Sequence, residues 1–206
     1  MPTQLHVKNT DNKLCTLSSE YLKPVGRLDE LDWCKPMKGG LWTSTLIKGS
    51  WSSWCEWTKH ENFKYVKNGD AYVLNVAPQA KIFEISTRSD LDWLIERYTS
   101  ENKLFDGADR YFIRLNWEKL QEDFDAVHFS QDGVKNLLRN YSRDGTRYNV
   151  SMSAWDAEST VWFRWKFIDS KPIKISDPED PEDKTVWRNL PIVDKNNNEK
   201  TTIIAS

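Results

Sequence analysis

The chain has 206 residues, 29% of them charged, with a formal net charge of −2 and a pI near 6.0. That length suits one domain with a sizeable core, and the near-neutral balance excludes a global electrostatic footprint for nucleic acid or anionic membrane. No apolar run is long enough to span a bilayer.

In chain order, "LHVKN" alternates, with Leu5 and Val7 on one face and His6 and Lys8 on the other. This predicts a short half-buried strand. "KLCTLSSEYL" places Leu14, Leu17 and Tyr21 at helical spacing. "KGGLWTSTL" predicts a strand entered through two glycines. "GSWSSWCEWTKHEN" predicts a helix capped by Ser50, with Trp51, Trp54 and Trp57 or Thr58 along one stripe. "DAYVLNVAPQAKIFEIS" predicts a hairpin with a Pro-containing turn. "SDLDWLIERY" is the clearest helix, with Ser89 at the N-cap, Asp90 and Asp92 in the first turn, and Leu91, Leu94, Ile95 and Tyr98 on one face.

"NWEKLQEDF" predicts a short helix capped by Asn116, followed by the strand "DAVHFS". "GVKNLLRNY" predicts a helix through Val134, Leu137, Leu138 and Tyr141, then a polar loop from Ser142 to Tyr148. Beyond Ser170, "DPEDPEDK" and "DKNNNEK" read as turn and solvated segments. The chain is thus expected to hold one α+β domain over residues 1–170 and a partly irregular extension over 171–206. Short strands and helices mix without strict alternation, which argues against a doubly wound parallel sheet.

The cysteines Cys15, Cys34 and Cys55 stand at no metal-knuckle or redox spacing. The opening "MPTQLHVKNTDNK" lacks the apolar segment of a signal peptide. Both features lead to the expectation of a reducing, cytoplasmic setting. No metal-ligand spacing joins the three histidines, so no metal site is expected; His60 and His128 are read as structural or surface residues. No P-loop or dinucleotide glycine fingerprint occurs. Most of the 11 tryptophans are expected in the core.

The stretch "SAWDAESTVWFRW", residues 153–165, is aromatic yet carries two carboxylates. As a strand it would put Trp155, Ala157, Ser159, Val161, Phe163 and Trp165 on a core face. Asp156, Glu158, Thr160, Trp162 and Arg164 would lie on a polar face. That polar face could simply be wet, with cross-strand charge pairs.

Three pieces resemble the motif strands of the ADP-ribosyltransferase superfamily, in the family's order: "LHV" with His6, "GGLWTST" with Thr43, Ser44 and Thr45, and "WDAES" with Asp156 and Glu158. "AKIFEISTRSDLDWLIERY" and "NWEKLQEDFDAVHFS" are similar to segments found between those motifs. The resemblance spans roughly residues 4 to 168. It departs from the Arg-type pattern in having His6 on the first strand, and from the His-type pattern in having Trp42 where a tyrosine is usual.

The resemblance implies a split two-sheet core of mixed, mostly antiparallel strands with flanking helices. It implies NAD as substrate and a macromolecular acceptor, protein or nucleic acid, as in toxin effectors or phage-encoded modifiers, or a hydrolytic variant (an NAD glycohydrolase) that releases free ADP-ribose. Glu158 would stabilise the charge that develops on the ribose, with Asp156 receiving a proton from the acceptor or positioning it. His6 would fix a ribose or phosphate oxygen. Ser44 would hold Glu158 or the nicotinamide ribose, and Trp42 would stack on nicotinamide. Thr43 and Thr45 belong to the same motif but would point to the opposite side and pack. Trp162 would line the cleft beyond Glu158. The competing expectation is a non-catalytic Trp-rich module that binds protein or nucleic acid, with Asp156 and Glu158 as surface charges. A third is a relative that processes nucleic-acid ends.

Overall fold

The computed structural model describes residues 3–7, 19, 22, 35–36, 39–46, 52–61, 70–98, 115–137, 141–142, 149–150, 152 and 155–174. Most of the helix expected over "KLCTLSSEYL" and most of the C-terminal extension lie outside the described residues.

The described part is α+β. Its strands are β1 (Gln4–Val7), β2 (Leu41–Thr45), β3 (Asp70–Val76), β4 (Ile82–Ile85), β5 (Ala126–Phe129), β6 (Tyr141–Ser142), β7 (Asn149–Val150), β8 (Ser159–Trp162) and β9 (Phe167–Lys174). Its helices are α1 (Ser53–His60), α2 (Arg88–Tyr98), α3 (Trp117–Asp123) and α4 (Gln131–Leu137). Seven strands form one open sheet in the order β4-β5-β8-β2-β1-β3-β9, and β6 pairs with β7 separately. Every pairing is antiparallel except that of β4 with β5.

The expected hairpin over residues 70–86 does not form. Both of its strands exist, but β3 lies between β1 and β9, whereas β4 lies at the far edge against β5. The turn closed by Ala80 N–H donating to Ala77 C=O carries the chain away from β3. Local turn chemistry marks a change of direction, not the partner on the other side of it.

β9 pairs with β3 through to Lys174, so the sheet continues four residues beyond Ser170. Pro172 is tolerated there because β9 is an edge strand and needs no donor on its outer side. Tyr141, expected at a helix end, instead pairs with Val150 in the short β6–β7 ladder.

The sheet has apolar side chains on both faces. On one, Ile85, Val127, Phe129 and Val161 pack with Leu91, Leu94 and Tyr98 of α2, and with Trp117 and Trp155. On the other, Leu41, Tyr72, Leu74, Ala126, Trp162 and Phe167 form a second cluster. The alternation of Ser159 and Val161 against Thr160 and Trp162 therefore holds within β8, but the second face is not wet, and all four residues are buried. Past Trp162 the strand ends, and Trp165 joins Phe167 in the second cluster instead of packing with Trp155.

Helix starts are set by side-chain oxygens that accept orphan backbone N–H groups. Asn116 caps α3 as expected, accepting from Lys119 N–H at 3.0 Å. In α1 the hydroxyl of Ser52 accepts from Cys55 N–H at 3.2 Å, so the cap lies two residues beyond the expected Ser50, which is outside the described residues. The buried stripe of α1 follows Cys55 and Thr58 rather than the tryptophans. In α2 Ser89 lies inside the first turn. Thr87 and Asp90 form a reciprocal box: Asp90 Oδ2 accepts from Thr87 N–H at 2.7 Å, and Thr87 Oγ1 accepts from Asp90 N–H at 3.4 Å.

Opposite ends of β4, β5 and β8 differ in chemistry. At one end, buried Asp125 accepts from Lys81 N–H at 2.9 Å and lies 3.4 Å from Arg164 and 3.7 Å from Lys166. At the other end lies the cleft.

Candidate active site

Glu158 immediately precedes β8 and is only 3% exposed. A buried carboxylate needs donors, because desolvation of an ionised group is costly. The end of β2 supplies them. The hydroxyl of Ser44 lies 2.8 Å from Glu158 Oε2. Thr45 N–H donates to Oε2 at 3.0 Å, and Thr45 Oγ1 donates to Oε1 at 2.7 Å. Ser44 Oγ also accepts from Trp54 N–H at 3.4 Å, which ties the start of α1 to the same cluster.

The expected Ser44–Glu158 contact is therefore present. Thr45, expected to turn away and pack, is instead the second clamp on the carboxylate. The reversal arises because Glu158 stands outside the regular strand, where alternation no longer fixes direction. Thr43 does turn away: its hydroxyl accepts from Trp162 Nε1 at 2.8 Å and donates to the Gln4 side chain. It does not line the cleft.

Asp156 is not brought to this site. It sits at a left-handed backbone bend, φ 44°, before the strand begins. A turn closed by Ala157 N–H on Trp155 C=O breaks the two-residue repeat that would have placed both carboxylates on one face. Its side chain is 41% exposed and lies 3.6 Å from Lys35 Nζ.

Trp42 is also elsewhere, edge-on to Trp155 at 5.1 Å between ring centroids and partly buried against the main core. Trp162 is fully buried against Phe167, not a cleft wall. His6 lies on β1, the strand beside β2, with its backbone opposite Tyr72; its side chain is outside the described residues.

One residue that sequence reasoning set aside belongs here. His128 on β5 is opposite Thr160 in the ladder, and its Nδ1 lies 2.8 Å from Thr160 Oγ1 and 3.6 Å from Glu158 Oε1. The visible signal was modest: a lone imidazole between Val127 and Phe129, which the alternation placed on the face away from those two.

A cleft of about 570 Å³ opens beside these groups, within the size range of small-molecule sites. Thr45, His128 and Glu158 line it, together with Glu56 of α1, Glu84 of β4 and Asp132 of α4. Among the described residues that line it there is no Lys or Arg. Ser130 caps α4 by accepting from Gly133 N–H at 3.1 Å, and the Ser86 hydroxyl bridges Ser130 Oγ at 2.7 Å and Glu84 Oε1 at 2.6 Å. Across the cleft, Ser53 of α1 donates to Gln131 of α4 at 2.7 Å.

This arrangement combines a preorganised carboxylate, an imidazole and an acidic, accessible lining. The negative charge of the described lining residues favours a cationic ligand. Comparison of the chain with protein families, with curated proteins and with solved structures gave no match.

Proposed function

We propose that the protein cleaves NAD at the nicotinamide–ribose bond and transfers ADP-ribose to a macromolecular acceptor, with Glu158 as the catalytic carboxylate. The observation that carries this reading is the clamp of Ser44 and Thr45 on Glu158 at the edge of a cleft. The three pieces of sequence that resemble the transferase motifs lie on neighbouring strands, β1, β2 and β8 or its approach, although the second and third are more than 100 residues apart. The ladder between β1 and β2 is short among the described residues, with Gln4↔Thr45 and Leu5↔Ser44 as its paired residues. We take that short seam as the division between two half-sheets, β4-β5-β8-β2 and β1-β3-β9.

In this reading the C1′–N bond breaks with its electron pair passing to nicotinamide, and positive charge develops on the ribose. Glu158, already held by Ser44 and Thr45, meets that charge with little reorganisation. The acidic lining suits the cationic nicotinamide riboside end of NAD better than its diphosphate. The competing view of Glu158 as a surface charge is hard to join with its 3% exposure.

The test is to incubate the protein with labelled NAD and a mixed lysate, follow nicotinamide release, and digest with protease or nuclease to find the label. Release is expected from the wild type and not from Glu158→Gln of unchanged circular dichroism. Equal turnover by that variant removes Glu158 from the chemistry. No release by the wild type removes the transferase reading.

A further inference from the structure

The transferase reading leaves one step without an agent: the acceptor must lose a proton as it bonds to the ribose. The residue expected to receive it, Asp156, lies away from the cleft in an ion pair with Lys35. We infer that His128 is the general base of the reaction, accepting the acceptor's proton on Nε2; the inference rests on that reading of the site.

Three observations lead there. His128 lines the cleft with its Nδ1 3.6 Å from Glu158 Oε1, so the imidazole stands beside the carboxylate assigned to the ribose. Its Nδ1 faces two oxygens, Thr160 Oγ1 at 2.8 Å and Glu158 Oε1. A hydrogen bond from one ring nitrogen to an oxygen fixes the tautomer of the other. Nδ1 is then the donor, and Nε2 carries the free lone pair. Finally, Nε2 has no hydrogen-bond partner among the described residues, and it is not among the buried unpaired atoms. It is open to a reactant entering the cleft.

The charged groups around the imidazole come from several elements. Glu158 lies on its own side of the sheet, Glu84 is its ladder partner on β4, and Glu56 and Asp132 line the cleft from α1 and α4. These carboxylates stabilise the imidazolium formed when the proton arrives. The step balances: the C1′–N bond breaks toward nicotinamide, the acceptor's lone pair bonds to C1′, and its proton passes to Nε2 and then to solvent. Glu158 meets the ribose while His128 meets the acceptor, so the two neighbours divide the work.

The probe is NAD alone, with water as the acceptor, and the readouts are nicotinamide release and NAD affinity. Wild type, His128→Gln and His128→Ala are compared with and without added imidazole. A positioned general base contributes roughly 10²- to 10⁴-fold. A loss of that order in kcat, with NAD Kd unchanged, is expected for both variants. Free imidazole is expected to restore part of the rate in His128→Ala, which a purely structural histidine would not allow. Full activity in His128→Gln, or a loss in His128→Ala that imidazole leaves untouched while the fold is intact, overturns the role of His128 and spares the transferase reading. Absence of nicotinamide release from the wild type, both with NAD alone and with a mixed lysate added, overturns both.

Discussion

Replacing Ser44 with alanine tests the central contact without inserting bulk. Ser44 is fully buried, and its one hydroxyl proton has two acceptors in reach, Glu158 Oε2 at 2.8 Å and Glu158 C=O at 3.1 Å. The shorter, charge-assisted contact dominates. A hydrogen bond to a charged group is worth about 1.5–3 kcal/mol. Thr45 still supplies two donors, so the carboxylate is weakened in its seat, not abandoned. For a chain of this size 1 kcal/mol moves Tm by roughly 2–4 °C, which gives a loss of about 3–12 °C. Urea unfolding of Ser44→Ala, Glu158→Ala and the double variant isolates the pair term. With equal m-values, a coupling of at least about 1.5 kcal/mol is expected. A coupling below about 0.5 kcal/mol, the usual scatter of independent sites, refutes the claim that Ser44 holds Glu158.

Gly133→Ala should destabilise by about 1–3 kcal/mol in urea, although alanine normally favours a helix. A Cβ there would collide with Ile85 C=O and come within 2.8 Å of the Phe129 ring, pushing α4 off the sheet. Thr87→Ala should cost about 1 kcal/mol through loss of the α2 cap. For Asp90, desolvation raises the pKa, but hydrogen bonds from the Thr87 hydroxyl and the N–H groups of Thr87 and Ser86 outweigh it and leave the value lowered. The stabilisation from Asp90 is therefore complete above an ordinary aspartate's 3.8 and fades as pH falls through the lower folded value. The stability gap between wild type and Asp90→Asn should narrow over that acid range. Burial pushes the Cys55 thiol up to about 12. In a Cys15→Ser, Cys34→Ser background, alkylation at mildly alkaline pH should await unfolding.

Much of the scaffold was readable because it follows local rules. Leu91, Leu94, Ile95 and Tyr98 recur at helical spacing, and all four are buried. Gly39 and Gly40 adopt positive φ and lead into β2 as their chemistry suggests. The Ser44–Glu158 contact was legible only through the resemblance, since no periodicity links positions so far apart. What failed were inferences that extended a pattern past its end. Alternation does not extend from β8 back to Asp156, because a bend between them destroys it. Adjacency in sequence does not mean pairing for β3 and β4, where the ladder is set by long-range contacts. His128 has apolar neighbours in sequence, Val127 and Phe129, whereas its neighbours in space, Thr160 and Glu158, are polar and come from a distant part of the chain.

The ionic knot at Asp125 and the cleft beside Ser130 terminate the same stretch of β5, five residue steps or about 17 Å apart. One terminus anchors and the other opens on the cleft. Drift in the residues that shape the cleft therefore leaves the anchorage intact, and a lineage could change what the cleft admits without first securing a new way to stay folded.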